Sequence, residues 1–178
     1  MRTLYLMRHA KSDWPERDAT GKPMADHDRP LSGRGERAAR LMGHFMIQKG
    51  ITPGGIIASS AQRTKDTAEL LADCYDTPPR IALLPDLYAA EPSTMLARIQ
   101  AMKDAPDRLV MIGHNPGIQD LILLLLRADQ HDSTAAKRVY NKVPTAALAV
   151  INFDADSWDK IEPATGTLTH FVVPKDLV

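Results

Sequence analysis

The sequence predicts an α/β protein, a three-layer α/β/α sandwich around a mainly parallel central sheet. Two observations carry that expectation. Short apolar runs alternate with segments of helical periodicity, as strands linked by crossover helices require. The runs are also continuously apolar, the pattern of strands buried on both faces. With 178 residues the chain is long enough for a sizeable core and is expected to form one domain over residues 1–178.

The elements follow in order. Leu4-Tyr5-Leu6-Met7 reads as a strand that runs out at Arg8 and His9. Residues 12–30 are polar and carry Pro15, Pro23 and Pro30, so a loop is expected over the end of that strand, forming one wall of a pocket. A helix opens after Ser32, uses Ala38, Leu41, Met42, Phe45 and Met46 as its core stripe, and ends near Gly50. Gly55–Ala58 is the second strand, and Ser59 or Ser60 is expected to cap a helix running to about Cys74. Ile81–Leu84 reads as a short strand and Thr94–Met102 as a helix after Pro92. Leu109–Ile112 is a central strand and Gly117–Leu126 a buried helix. Ala147–Phe153 and Leu168–Val173 are strands towards one edge, joined by a turn region that includes Trp158.

Composition narrows the class. Lysine plus arginine and aspartate plus glutamate each number 22, so the formal charge is zero and no nucleic-acid-binding face is expected. The lone cysteine, Cys74, falls on a helix, where a buried inert thiol is the default, and fits a reducing, cytoplasmic setting. No secretory signal is expected, and the apolar run Leu121–Leu126 falls short of the roughly 20 residues that span a bilayer.

The chemistry gathers at three strand ends. Arg8 and His9 follow the first strand, Arg63 lies in the first turn after the second, and His114 follows Leu109-Val110-Met111-Ile112-Gly113. In open α/β sheets ligands bind at the carboxyl edge. Two guanidiniums, two imidazoles and nearby backbone N–H groups suit a phosphoryl group above other ligands. A neutral histidine can attack phosphorus when its other ring nitrogen donates to a carbonyl. On chemistry alone, either His9 or His114 fits that role, and a second, protonated histidine would add donors and charge. His27, His44, His131 and His170 have no comparable context. No ligand set completes a metal site, and no cofactor is expected.

These residues carry a family resemblance. Met7-Arg8-His9-Ala10 resembles the Arg-His-Gly signature of the histidine phosphatase superfamily, in the branch that includes phosphoglycerate mutases. The stretch from Ser59 to Ala68, with Arg63, resembles its second motif, and Gly113-His114-Asn115-Pro116 its third. Arg8 to Ser12, Asp28 to Ser32 and Gly113 to Gly117 together are most similar to the short phosphohistidine phosphatases (SixA-like), in which Ala10 is a typical variant of the glycine. The resemblance implies a phosphoglycerate mutase-like fold and a cofactor-free phosphatase. It implies His9 as nucleophile, with Arg8, Arg63 and His114 holding phosphoryl oxygens. Lys11, Ser12, Ser60 and Asn115 are further phosphate-binding candidates.

The proton donor is the open position. Family members that cleave alkyl phosphates use a carboxylic acid after the fourth strand, where this chain offers Glu91 first and Asp86 second. An alkoxide needs its proton delivered, whereas imidazole, with a reference pKa of about 6.5, leaves readily. The expected activity is therefore dephosphorylation of phosphohistidine on a protein through a phosphohistidine intermediate. The alternatives are a phosphatase for small phosphorylated metabolites, with Glu91 as acid, and a non-catalytic phosphate-binding module. A mutase is less expected, because no segment is evident for holding a second phosphate.

Overall fold

The computed structural model describes residues 1–178. In chain order the elements are β1 (Arg2–Arg8), α1 (Gly33–Gln48), β2 (Gly55–Ser59), α2 (Gln62–Ala72), β3 (Arg80–Leu84), α3 (Pro92–Gln100), β4 (Arg108–Gly113), α4 (Gly117–Leu125), α5 (Thr134–Asn141), β5 (Leu148–Phe153) and β6 (Thr167–Val172). One sheet forms in the order β3-β2-β4-β1-β5-β6. Strands β1 to β4 pair in parallel, β5 runs antiparallel to β1, and β6 antiparallel to β5. The mainly parallel α/β fold is as expected, with only β5 reversed.

Strand β1 explains the two-sided core. Successive side chains of a strand point to opposite faces. Leu4 and Leu6 join a cluster of 26 buried residues with Leu121, Ile122 and Leu125 of α4 and Ile99 of α3. Tyr5 and Met7 join a cluster of 17 with Met42 and Met46 of α1 and Ala68 and Leu71 of α2. Helices on both faces let the strand be apolar throughout, and each fully buried aliphatic side chain contributes roughly 1.5–3 kcal/mol. No helix is long and apolar enough to cross a membrane.

Some local expectations give way to packing. Neither serine caps α2: the helix starts at Gln62 with Ala61 before it and no side-chain cap, because Ser59 and Ser60 turn their hydroxyls to His114 and His27. The buried stripe of α1 is Gly35, Ala39, Met42, Gly43 and Met46, while Ala38, Leu41 and Phe45 are only half-buried. The stripe rotates because α1 packs closely on α2; a Cβ at Gly43 would sit 2.7 Å from Cys74 Sγ. Helix α3 begins at Pro92, which suits a first-turn position with no N–H to satisfy. Helix α5 was not anticipated; it is eight residues long and buries only Ala136 and Val139. Trp158 is wholly buried, its Nε1 donating to Pro106 O at 2.9 Å.

The sheet order puts the ends of β2, β4 and β1 side by side. Their carboxyl ends deliver Ser59, His114 and His9 to one edge, as anticipated for a ligand site.

Candidate active site

His9 leaves β1 with its backbone still held by the sheet, its N–H donating to Gly113 O at 3.0 Å. The next peptide is tied to α2: Ala10 N donates to Thr67 Oγ1 at 3.0 Å, and that hydroxyl donates to Arg63 O at 2.6 Å. One threonine thus links the His9 loop to the helix carrying Arg63. Below the following residues, the first turn of α1 makes a close approach that only glycine allows. A Cβ at Gly35 would fall 2.0 Å from Lys11 O, the same oxygen that accepts from Ser32 N at 2.9 Å. Ser32 also caps α1, its hydroxyl accepting from Gly35 N at 3.1 Å.

The His9 ring is oriented by the adjoining backbone. Its Nδ1 donates to Ala10 O at 2.7 Å, which leaves Nε2 without a proton. Burial, with His114, Arg63 and Arg8 nearby adding to it, pushes its pKa down to about 3, against the opposing effect of the Ala10 bond. At neutral pH His9 is a free base.

His114 departs from the protonated partner anticipated for the pocket. Arg63 Nη2 lies 3.3 Å from its Nδ1, and a guanidinium has no lone pair to accept with, so Nδ1 is the acceptor. Nε2 then donates to Ser59 Oγ at 2.8 Å. Burial first, then Arg63, lowers its pKa to about 4, so the ring is neutral at pH 7 in the free protein. A phosphoryl dianion beside it would reverse that balance. The two imidazoles stand 5.2 Å apart, centroid to centroid.

Arg63 is clamped by a residue the sequence reading passed over. Nη1 donates to Asp26 O at 2.7 Å and Nη2 to Asp26 Oδ2 at 3.1 Å. Asp26 also accepts from the Tyr88 hydroxyl and, at 3.1 Å, from Arg29 Nη1. The Tyr88 bond first, then Arg29 and Arg63, holds the Asp26 carboxyl down to about 2. Tyr88 packs edge-on to His114 at 5.5 Å and to His27 at 5.0 Å. His27 therefore has a place in the wall of the site, through Ser60 Oγ at 2.9 Å and the Tyr88 ring.

The cavity is about 520 Å³ and brings together Arg8, His9, Lys11, Ser12, Arg63, His114 and Asn115 from the expected set. It adds Arg29, Arg34, Lys142, Pro144 and Thr145. Arg29 is held by Ser12 Oγ at 2.6 Å and stacks 3.8 Å above the Trp14 ring, so the 12–30 loop does form a wall. Arg8 Nη1 donates to Val143 O at 3.0 Å, while its buried Nε and the buried Oδ1 of Asn115 have no protein partner. Unpaired buried groups beside a polar cavity are suited to a polar ligand.

Ser60 stands apart from the cavity lining, and Ser59 takes the contact with His114 instead. Glu91 also lies outside that lining. It is exposed, in a neighbouring cleft of about 80 Å³ that shares His114 and Asn115 with the main cavity. Asp86 is exposed and paired with Arg98. The main cavity is thus lined by six cationic side chains and two histidines, with no carboxylate. No three His, Cys, Asp or Glu side chains cluster as a metal site would need. Arg29 lies within the Asp28 to Ser32 motif but was not assigned to the site, while Arg34 and Lys142 carried no readable signal beyond their charge; the three converge only in three dimensions.

The class defined by this geometry is that of α/β proteins whose strand-end histidine opens onto a cationic cavity. Residues 4–87 match the sequence profile of the histidine phosphatase superfamily (branch 1). An uncharacterized Mycobacterium tuberculosis protein is 34% identical over 169 residues, covering 95% of this chain and all of its own length. Among solved structures, the Nakamurella multipartitia protein provisionally described as phosphohistidine phosphatase SixA superposes with a TM-score of 0.77 at 26% identity, covering 97% of this chain and 96% of its own. A protein histidine phosphatase SixA complexed with tungstate has the same fold, with a TM-score of 0.76 at 21% identity and 99% of both chains covered. The chain belongs to the histidine phosphatase superfamily, branch 1.

Proposed function

We propose that the protein is a phosphohistidine phosphatase that acts on a phosphorylated protein in the cytoplasm, without a cofactor. One observation carries the reading: a histidine with a free Nε2 opens onto a cationic cavity whose lining has no carboxylate. Arg8, Arg63 and His114 would hold the phosphoryl oxygens, supported by Lys11, Ser12 and Asn115. The His9 Nε2 lone pair attacks phosphorus, and the substrate's P–N bond breaks with its electron pair moving to the leaving nitrogen. The substrate reacts with its other ring nitrogen protonated from solvent, so the imidazole departs neutral and no acid from the protein is needed. Water then attacks the phosphorus on His9, the P–Nε2 bond breaks, and inorganic phosphate and a proton are released. The lone thiol Cys74 suits the reducing compartment.

The test offers phosphohistidine peptide, phosphoramidate, an aryl phosphate and sugar phosphates to the wild-type protein and to His9→Ala. Phosphohistidine and phosphoramidate should turn over far faster than sugar phosphates, and His9→Ala should release no phosphate and trap no phosphoenzyme. Turnover that survives His9→Ala removes the mechanism.

The second reading, a small-molecule phosphomonoesterase, rests on the cleft that places Glu91 next to His114 and Asn115. It predicts that Glu91→Gln slows alkyl ester cleavage much more than phosphoramidate cleavage. Equal effects on both substrates remove Glu91 as the acid.

A further inference from the structure

The cavity does not end at the phosphoryl pocket. A second concavity of about 370 Å³ adjoins it, shares Lys11, Arg34 and Lys142, and adds Ala38, Val173, Pro174 and Lys175. It too has no carboxylate in its lining. Its four cations come from four separate segments: the loop after β1, the first turn of α1, the residue after α5, and the turn after β6. All four are exposed, and none makes an ion pair or a side-chain hydrogen bond within the protein.

Isolated surface lysines are ordinary, but four converging cations with no carboxylate in the lining between them are not, in a chain of zero net charge. Arg34 sharpens the point. It sits in the first turn of α1, at the positive end of the helix, where a cation is disfavoured by the backbone dipoles. Glu36 shares that turn but makes no ion pair with Arg34, and an external anion would meet Arg34 and the helix N-terminus together.

We propose that this adjoining cleft is a docking subsite for acidic side chains that flank the phosphohistidine on the substrate protein. The proposal rests on the phosphohistidine phosphatase reading and adds what selects the substrate. The occupant is a protein surface because the cations rim an open concavity with apolar residues Ala38, Val173 and Pro174 between them. A second small phosphate would instead call for convergent, anchored donors such as Arg8 and Arg63. Exposed charges attract over roughly 10 Å at 0.1 M salt and about 3 Å at 1 M, so the preference must fade with salt.

The test uses two phosphohistidine peptides, flanked by glutamates or by glutamines, together with phosphoramidate and a bisphosphorylated sugar. The proteins are wild type, Lys175→Glu, and the double variant Lys175→Glu with Ala38→Glu. Both substituted positions lie outside the phosphoryl pocket. At low salt, wild type should favour the glutamate peptide by roughly tenfold in kcat/KM, carried by KM, with the preference collapsing at 1 M salt. Lys175→Glu should lose a large part of that preference and the double variant nearly all of it, with phosphoramidate turnover unchanged. Equal kcat/KM for the two peptides in wild type overturns the proposal, as does a preference that persists in the double variant. So does a preference for the bisphosphorylated sugar without one for glutamates.

Failure of the underlying reading would look different, because neither peptide would then be turned over. Binding of the unphosphorylated glutamate peptide, read by fluorescence anisotropy, still tests the cleft in that case. Weaker binding to Lys175→Glu than to wild type upholds it, and equal binding removes it.

Discussion

The depressed pKa values of the histidine pair make a prediction about stability as well as chemistry. An unfolded His9 titrates near 6.5, but in the fold its value falls to about 3. Between those values the unfolded chain binds a proton that the native protein refuses, so stability rises with pH there. The contribution is intact above 6.5 and is lost as the pH falls towards 3. Taking the protein from pH 7 to pH 5 crosses about 1.5 pH units below 6.5, at about 1.4 kcal/mol per unit, which costs about 2 kcal/mol for His9. His114, lowered to about 4, adds a similar amount over the same interval.

His9→Gln removes the titrating group while keeping a side chain of comparable size. Unfolding by urea at pH 7 and pH 5, in phosphate-free buffer, should show wild type losing about 2 kcal/mol more than the variant. In thermal unfolding, a chain of this size shifts about 2–4 °C per kcal/mol, so the two pH-induced falls should differ by about 4–8 °C. The same pH dependence in both proteins would refute the argument, since His9 would then titrate alike in the folded and unfolded states.

Three further outcomes are expected. Asp26→Asn removes the charge that holds Arg63 and Arg29, and should cost about 2 kcal/mol in kcat/KM, roughly thirtyfold, with Tyr88→Phe losing less; steady-state kinetics on phosphoramidate checks the order. Tungstate or phosphate in the cavity should raise the His114 pKa well above about 4, read from its ring proton shifts by NMR; an unchanged titration would place the anion elsewhere. Gly35→Ala forces a methyl to 2.0 Å from Lys11 O and should destabilise the protein by at least about 2 kcal/mol in urea unfolding, because the neighbour is backbone and cannot rotate away.

Much of the site was legible because strand ends are legible. The apolar runs of β1 and β4 stop at His9 and His114, and Arg63 follows β2 by one helical turn, so spacing alone places them at a common edge. Asp26 and Tyr88 were not, because they come from loops with no periodicity, and the short helix α5 buries too few residues to announce itself. The choice between Ser59 and Ser60 was lost for a similar reason. Adjacent hydroxyls at a strand end look alike in sequence, and only the packing of His114 and His27 separates them.

The sequence by itself determined the layered α/β fold, the two-faced core and seven of the residues that line the cavity, since all three follow from local hydrophobic pattern and from residues at or near strand ends. Tertiary structure alone decided the protonation states and the shape of what lies beyond the pocket. His9 and His114 are neutral because burial and neighbouring guanidiniums disfavour their charged forms. Lys11, Arg34, Lys142 and Lys175 make one cleft because four segments far apart in the chain end at the same place. Burial and the distances between charges are properties of the assembled fold, and no local stretch of sequence carries them.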